Sequence, residues 1–436
     1  MALPQAKQDL TDSVLVHVPE PTGGNWIKSA RQAAVARVAK LGLPVKRDEY
    51  WKYGDPTNWT AVEPKFATTS AGSNIFDDVK PLTLVFVDGV FDADASDDLV
   101  LDGVDITLLS EAATADLHWS QSLYGVLEAH ANDAQPKDGG ALVRPVARPL
   151  AALNTAIAQE GVLIHVTGKA ARPIRLSYRS NGGQATLHHV VKLDAGASLT
   201  LLEEGVPAAR YDVMTEVDVA DEAEFHHVRV QGHAPQVQAM TQIYARLGRE
   251  STFKSFALSV DGVATRNDSV IEITGDDASA HIGGAVLGDG KDVHHDDTVF
   301  ITHDAVNCES RQVFKKVLRN GATGVFQGKI LVKEDAQKTD GYQISQSLLL
   351  DDDSQFLAKP ELEIYADDVA CSHGSTTGAM DEEGLFYLRA RGLPKGIAED
   401  LMTIAFIAES IDEIADEDLQ AIVLAQVEAA LAGRRG

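Results

Sequence analysis

The chain has 436 residues and a formal net charge of −27 at pH 7, because 65 aspartates and glutamates outnumber 38 lysines and arginines. The acidic residues are spread along the chain, and such a surface repels nucleic-acid phosphates and anionic membrane faces, so neither nucleic acid nor membrane is an expected partner. Two cysteines are too few for a disulfide framework, and no apolar stretch approaches the roughly 20 residues of a membrane span, so we expect a cytoplasmic protein.

The first 150 residues combine helical patterns with short apolar runs. Apolar and alanine residues recur at helical spacing from Asn25 to Leu41, and Gly42 supplies a stop signal. An aromatic and charged cluster at 49–53 follows, which we interpret as a packing contact between the helical entry and the next layer. The alternation from Leu82 to Val87 predicts a strand. We therefore assign residues 1–150 to a helical and mixed N-terminal region.

A repeat of about 27 residues begins near Val162, where short strands are separated by Gly, Asp and Asn. Small residues in the turns recur at steps of 26, 28 and 27 residues, at Ala197, Ala223, Ser251 and Ala278. Apolar strand residues recur at steps of 26, 28 and 28 residues, at Val217, Ile243, Ile271 and Val299. Units of this length cannot bury an apolar face alone, so consecutive units must stack. We therefore predict a parallel β-helix core over residues 151–378, with a β-sandwich as the alternative.

Three helices are predicted in the C-terminal region, residues 379–436. The first spans Asp381 to Arg391, the second follows Pro394, and the third is capped near Asp416. The second helix carries an apolar stripe of Ile397, Leu401, Ile404, Ala405 and Ala408. The third carries a stripe of Leu419, Ile422, Val423, Val427 and Ala430. Such stripes suit either packing on the β core or binding of another protein, and both interpretations stay open at this point.

Four acidic or histidine-rich segments are candidate sites of a stand-alone enzyme or of a metal. Carbohydrate-cleaving enzymes use clustered carboxylates, but three adjacent acids in a turn, as at 351–353, point different ways and are usually solvated. Neighbours on a strand face opposite sides, so at most one His and one Asp of 294–297 converge. For the same reason, one ring of His188–His189 and one of His226–His227 should pack inward while the other meets solvent. A stand-alone carbohydrate-acting or metal-dependent enzyme is therefore the alternative hypothesis, and we assign no catalytic residue.

A thiol and an imidazole lie two residues apart in the sequence Ala370-Cys371-Ser372-His373-Gly374. Positions i and i+2 of a strand share a face, with Cβ atoms roughly 7 Å apart, so Cys371 and His373 can reach one iron or one face of a cluster. Two ligands do not hold a cluster, so the others must come from elsewhere on the chain or from a partner. A packed thiol beside a hydrogen-bonded imidazole is the structural alternative.

The segments around this pair resemble the SufB/SufD family of iron–sulfur cluster assembly proteins. The resemblance rests on five segments, 307–311, 326–330, 335–343, 359–374 and 385–392. The absence of any cysteine before Cys308 is closer to the SufD branch of the family than to the SufB branch. The resemblance implies a right-handed parallel β-helix flanked by helical regions, in agreement with the repeat.

The resemblance also implies a scaffold rather than an enzyme, in a complex with a SufB-like subunit and a SufC-like ATPase. The SufB-like subunit is expected at the β-helix edges, where His373 corresponds to a proposed cluster-site residue and Cys371 has a weaker claim. The ATPase is expected on the C-terminal helices, at Leu385, Leu388, Ile397, Leu401, Ile404 and Ala405. The iron–sulfur cluster would be held transiently on the assembled complex, which is also a candidate site for reduced flavin. The isolated chain is a candidate homodimer, and it should bind no ATP, since it has no GxxxxGK[ST] loop.

Overall fold

The computed structural model describes residues 3–61, 72–132, 135–136, 142–143, 146–233 and 235–434. The α-helices are α1 (Gln5–Leu15), α2 (Asn25–Leu41), α3 (Thr57–Thr60), α4 (Leu109–Ala112), α5 (Leu127–Asn132), α6 (Pro149–Ile157), α7 (Glu382–Ala390), α8 (Lys395–Ile411) and α9 (Glu417–Gly433). The strands are β1 (Leu82–Val87), β2 (Val90–Phe91), β3 (Val104–Leu108), β4 (Gln135–Pro136), β5 (Leu142–Val143), β6 (Val162–Val166), β7 (Ile174–Arg179), β8 (Gln184–Leu193), β9 (Ser198–Gly205), β10 (Arg210–Val219), β11 (Glu224–His233), β12 (Gln238–Leu247), β13 (Thr252–Val260), β14 (Ala264–Ile273), β15 (Ser279–Asp289), β16 (His294–His303), β17 (Glu309–Arg319), β18 (Thr323–Val332), β19 (Thr339–Leu349), β20 (Gln355–Ile364) and β21 (Val369–Ala379).

Strands β6 to β21 alternate between two sheets, so each pair of consecutive strands forms one coil of a solenoid. One sheet has ten strands in the order β2-β1-β7-β9-β11-β13-β15-β17-β19-β21. The other has nine strands in the order β20-β18-β16-β14-β12-β10-β8-β6-β3. Strands of successive coils pair in parallel, as β10 does with β8 and β12. The predicted parallel β-helix is therefore confirmed, and the β-sandwich, whose neighbouring strands would be antiparallel, is not formed.

Two strands that precede residue 150 also join the β-helix. Strand β1 pairs in parallel with β7, and β3 pairs antiparallel with β6, so they extend the two sheets at the N-terminal end. Both β1 and α2 have the predicted bounds, and α2 ends at Gly42, whose φ of +71° lies in the left-handed region that favours glycine. The division into residues 1–150, 151–378 and 379–436 stays a prediction.

The turn spacing predicted from small residues is confirmed by the strand register. Ser198 pairs with Glu224, which pairs in turn with Thr252, and Thr252 pairs with Ser279. Each of these residues directly follows one of the small turn residues Ala197, Ala223, Ser251 and Ala278. The four small side chains therefore form one buried column at the turn.

The phase predicted for the apolar strand residues is wrong by two positions. Val217 and Ile271 both pair with Ala245, whereas Ile243 pairs with Thr215 and Ser269. A shift of two residues leaves a side chain on the same face of its strand, so the apolar pattern is preserved although the partners differ. Periodicity therefore predicted the face of these residues but not their exact neighbours.

The turns that lead into the ten-stranded sheet form a second column, of residues with left-handed backbone. Their φ values lie between +53° and +61°, at Glu222, Glu250, Asp277, Asn307 and Lys338. Each backbone N–H donates to a carbonyl of the next coil's turn, as Glu250 does to Asp276 over 2.8 Å and Asp277 does to Val306 over 3.0 Å. The strained conformation thus recurs because it directs an N–H along the solenoid axis.

Helices cover both outer faces of the β-helix. Helix α6 packs on β8 and β10 of the nine-stranded sheet and is covered by α2. Helices α8 and α9 pack on the ten-stranded sheet, against β15 and β17 and against β11, respectively. Within the part of the chain that the structure describes, none of the helices is both long and apolar enough to cross a membrane.

Candidate functional site

The β-helix ends at an exposed coil formed by β20 and β21. In the described ranges, β20 pairs only with β18 and β21 only with β19, so each presents one open backbone edge. These edges are 10 and 11 residues long, and every residue of both strands is at least partly exposed. Long edge strands with open hydrogen-bonding groups favour pairing with another chain.

Cys371 and His373 both lie on β21, in this last coil. Cys371 pairs with Gly341 and His373 with Gln343 on the preceding coil. The Cys371 side chain points inward, where it packs at the edge of a cluster that contains Ile330. His373 shares this face but is exposed, because no further coil covers it. The structure thus brings the thiol and the imidazole to the open end of the β-helix lumen.

The environment of Cys371 favours the protonated thiol. Burial raises the pKa of Cys371, and the nearby carboxylate of Asp340 raises it further. A cysteine binds iron as its thiolate, so metal binding by Cys371 would require the loss of this proton against an unfavourable environment. His373 is therefore the more accessible of the two candidate ligands.

Cys308 does not lie beside this pair. Its Sγ contacts the carbonyl oxygens of Gly275 and Val306, at 3.3 and 3.4 Å, and burial raises its pKa as well. Cys308 aligns with Thr339 on the next coil, and Thr339 pairs with Val369 on the last coil, two residues before Cys371. Strand geometry therefore places Cys308 roughly 12 Å from Cys371. Across the described ranges, no group of three or more His, Cys, Asp or Glu side chains is arranged to hold a metal ion. The described residues therefore do not complete a three-ligand site at His373.

The segment 294–297 lies on β16 and alternates as predicted, with His295 and Asp297 buried inside the lumen. Lys316 lies between them: its Nζ bonds His295 Nδ1 at 3.0 Å and forms an ion pair with Asp297. Burial and the Lys316 charge lower the pKa of His295 to about 3. On the outer side, His294 contacts the Tyr53 carbonyl at 2.6 Å, and Asp296 pairs with Arg266. A lysine thus occupies the place that a metal would need.

The acids at 351–353 form a turn rather than a site. Asp351 Oδ1 accepts the backbone N–H groups of Asp353 and Ser354, at 3.0 and 2.8 Å, and its other oxygen accepts that of Asn320. These bonds fix the turn between β19 and β20, as expected of Asp in such loops. The carboxylates do not converge on a common point.

The prediction that one ring of each histidine pair packs inward and the other meets solvent is wrong for His188–His189, since both rings are fully buried. It is confirmed for His226–His227, where His227 is buried and His226 is partly exposed. The outward-facing His188 ring stacks on Tyr124 at 4.2 Å and bonds Glu216 at 3.0 Å, because the N-terminal helical layer covers this face. Local alternation shows which side a residue faces, but not whether another layer covers that side.

A buried polar network in the lumen was missed by the sequence analysis. The Tyr178 hydroxyl donates to Glu203 Oε2 at 2.9 Å, and the other Glu203 oxygen bonds His227 Nε2 at 2.9 Å. Tyr178 also contacts His189 Nε2 at 3.1 Å. The available signal was the occurrence of polar residues at inward-facing strand positions, where β-helices usually place apolar ones.

The aromatic cluster at 49–53 packs as predicted, and it reaches further than expected. The Tyr50 ring lies edge-on to Phe300 at 4.9 Å, and the Arg266 guanidinium lies 4.2 Å from the Trp51 ring centre. The Tyr50 hydroxyl donates to Glu361 on β20 at 2.6 Å. The cluster therefore attaches the N-terminal region to the last coil.

The C-terminal helices leave an apolar surface exposed. Exposed fractions are 73% for Phe386, 56% for Tyr387 and 45% for Leu401. On α8 the side that packs on the sheet contains Ala398, Thr403, Ile407, Ser410 and Ile411. The predicted partner-binding residues Leu385, Leu388, Ile397 and Ile404 are partly buried, whereas Leu401 and Ala405 are exposed. On α9, by contrast, the predicted stripe faces the protein, with Leu419, Val423 and Val427 buried.

The fold and the site together define a parallel β-helix protein whose last coil is exposed. Residues 176–406 match the family model described as SUF system FeS cluster assembly, SufBD core domain. This match covers more than half of the chain, and the chain therefore belongs to the SufB/SufD family of iron–sulfur cluster assembly proteins.

Similarity to individual members extends over nearly the whole chain. The iron-sulfur cluster assembly protein SufD of Escherichia coli (strain K12) is 28% identical over 436 residues, which cover 96% of each chain. An iron-sulfur cluster assembly SufBD family protein of Synechocystis is 26% identical, over 92% of this chain and 90% of the relative. SufD of Bacillus subtilis is 25% identical over 303 residues, 67% of this chain and 68% of the relative.

Proposed function

We propose that this chain is the SufD-like scaffold subunit of a complex with a SufB-like subunit and a SufC-like ATPase, and that the complex assembles iron–sulfur clusters. The observation that carries the proposal is the exposed last coil, which places Cys371 and His373 beside two open strand edges in a member of this family. The chain itself performs no catalysis and binds no ATP. Its proposed location is the cytoplasm, a reducing compartment that suits two free thiols.

The SufB-like subunit docks on the last coil in this proposal. Strand addition to β20 and β21 would satisfy their open N–H and C=O groups, and main-chain hydrogen bonds of this kind give affinity. The partner would also cover the lumen end, where His373 is exposed and Cys371 is partly exposed. The same edges can join two copies of this chain, so a homodimer is expected when the partner is missing.

His373 supplies one ligand to the cluster, which is the cargo of the complex. An imidazole nitrogen binds iron as a neutral donor, whereas Cys371 must first lose a proton that its surroundings retain. The remaining ligands come from the SufB-like subunit, since the described residues offer no third ligand at this place. Reduced flavin on the assembled complex would supply electrons.

The ATPase docks on the exposed surface of α7 and α8, around Phe386, Tyr387 and Leu401. An amphipathic helix pair with an apolar outer face is a common mode of partner binding. Because α8 also packs on β15 and β17, movement of the docked ATPase would be transmitted to the β-helix and so to the last coil.

Anaerobic co-expression with SufB-like and SufC-like partners tests the proposal. We expect the three chains to co-purify, with the visible absorption of an iron–sulfur cluster in the wild type and with little of it in a His373→Ala complex of unchanged composition. Cys371→Ala should have a milder effect. His17→Ala, which changes an exposed histidine near the N-terminus, is the control. Failure to co-purify would refute the scaffold role, and normal cluster content in His373→Ala would refute the ligand role.

A further inference from the structure

Gln343 lies next to His373 in a column of three polar residues. Strand register aligns Gln312 on β17 with Gln343 on β19, and Gln343 with His373 on β21. Residues paired on neighbouring parallel strands point to the same side and lie about 4.8 Å apart. Both glutamines are completely buried, whereas His373 is exposed at the open end. The column therefore leads from the interior of the β-helix to the candidate ligand.

The Gln343 amide is held on one side only. Its Nε2 donates to Gln312 Oε1 at 2.8 Å, while its Oε1 is buried without a hydrogen-bond partner among the described residues. Gly328 on the opposite sheet leaves room for this amide, because a Cβ at that position would lie only 2.3 Å from Gln343 Nε2. A buried acceptor without a partner costs free energy, and such groups in a native structure call for an explanation.

We propose that Gln343 is a positioning residue for His373: its free Oε1 accepts an N–H from the His373 ring when a partner covers the open end. A histidine that binds a metal almost always donates its other ring N–H to an oxygen acceptor, which sets the tautomer and the ring orientation. With one ring nitrogen held by Gln343, the other is left as a lone-pair donor toward iron. This inference rests on the proposed function of His373 as a cluster ligand.

The roles of the neighbours follow from the same geometry. Gln312 accepts from the Gln343 Nε2, which leaves Oε1 available to the His373 ring. Gly328 leaves the volume in which that amide lies, so even a methyl group at this position would displace it. Gln343 thus acts through His373 and contacts no substrate itself.

The chain contains a matched control for the loss of a buried glutamine. Gln242 on β12 is buried, donates through Nε2 to Asp212 Oδ1 at 2.7 Å, and also has an Oε1 without a partner among the described residues. It belongs to the nine-stranded sheet, four coils before β20. Gln242→Met therefore removes the same chemical group from another buried position, on the outer face of its sheet and remote from His373.

The test uses the complete complex, reconstituted anaerobically with ferrous iron and sulfide. We expect Gln343→Met to reduce cluster content about ten-fold, the lower end of the effects seen when an outer-shell partner is removed. Gln343→Glu, which keeps an oxygen acceptor, should restore most of it, and Gln242→Met should leave it unchanged. Gly328→Ala provides a second route if Gln343→Met does not fold, since it displaces the amide without removing it.

Pulsed EPR of the reduced cluster, with ¹⁵N-labelled histidine, separates positioning from simple stability. In the wild type we expect a coupling between the cluster and an imidazole nitrogen, and His373→Ala should abolish it. In Gln343→Met we expect a change in the signal of the ring nitrogen that does not bind iron, and Gln343→Glu should reverse that change. Absence of any imidazole coupling in the wild type would refute the proposed ligand role of His373. A normal coupling and normal cluster content in Gln343→Met would refute only the role of Gln343.

Discussion

At the scale of single residues, the lumen of this β-helix buries several titratable side chains. His189, His295 and His303 are almost completely enclosed, and burial lowers the pKa values to about 4, 3 and 4, respectively. These rings are neutral in the folded protein and become protonated readily only when it unfolds. The interior that supports the candidate site is therefore sensitive to acid.

His303 is the clearest case, because burial is the whole cause of its lowered pKa. The folded value of about 4 lies below the ordinary value of 6.5, so the stability that the neutral ring contributes is complete above pH 6.5 and is lost as the pH falls toward 4. When the pH is lowered from about 7 to about 5, we expect the free energy of unfolding of His303→Gln to fall by about 2 kcal/mol less than that of the wild type. Urea unfolding at both pH values measures the difference. The exposed His17→Gln is the control, and equal pH dependence of His303→Gln and wild type would contradict the prediction.

At the scale of elements, the turn column with left-handed backbone is the device that stacks one coil on the next. Each turn needs an N–H that points along the solenoid axis, and a positive φ provides it at the cost of strain in a residue with a side chain. Four of the five positions carry acidic or amide residues and the fifth carries Lys338, and Asn and Asp tolerate this conformation best. Glutamate at two positions and lysine at a third are therefore a local compromise.

Replacing Glu250 tests this interpretation. Its φ is +53°, and among the described residues its side chain pairs only with Arg249, in an exposed ion pair that contributes little. We expect Glu250→Gly to raise the free energy of unfolding by about 0.5–1 kcal/mol, and Glu250→Val to lower it by more than about 1 kcal/mol. Glu224→Gly, in strand β11, should instead destabilise the protein by about 1 kcal/mol. Denaturant unfolding measures all three, and destabilisation by Glu250→Gly would show that the side chain matters more than the strain.

At the scale of the whole molecule, the β-helix connects two surfaces that serve different proposed partners. The last coil is exposed at one end, while α7 and α8 present an apolar surface on the outside of the ten-stranded sheet. Helix α8 packs directly on β15 and β17, the strands that precede β19 and β21 in the same sheet. In the proposed complex, a movement of the helices would therefore reach the last coil through a continuous parallel sheet.

Substitutions in the helical surface distinguish docking from folding. Phe386→Ala combined with Leu401→Ala should weaken binding of the SufC-like ATPase by roughly ten-fold or more, as expected for exposed apolar anchors, and should leave the thermal stability of the chain unchanged. Ile407→Ala, on the buried side of α8, should instead destabilise the chain by about 2–5 kcal/mol. Calorimetric titration of the ATPase into each variant and thermal unfolding give the two quantities. Unchanged affinity in the double variant would place the ATPase elsewhere.

The sequence by itself was sufficient for features that depend on near neighbours. The turn column at Ala197, Ala223, Ser251 and Ala278 and the cap at Asp416 follow from patterns in the sequence, and the structure contains both. The common face of Cys371 and His373 also follows, because strand geometry alone decides it. The resemblance to the SufB/SufD family likewise rests on short segments, the longest of which, 359–374, contains Cys371 and His373.

Only the tertiary structure decided which distant residues meet. The period does not fix the register over the whole β-helix, because the coils differ in length, from 26 residues between Gln184 and Arg210 to 32 between Thr323 and Gln355. The neighbour of His373 is therefore Gln343 only once the strands are aligned. Similarly, periodicity shows that α8 has an apolar side, but the shape of the sheet determines which side packs. Burial depends on contacts between layers, and local sequence contains no information about how far those layers extend.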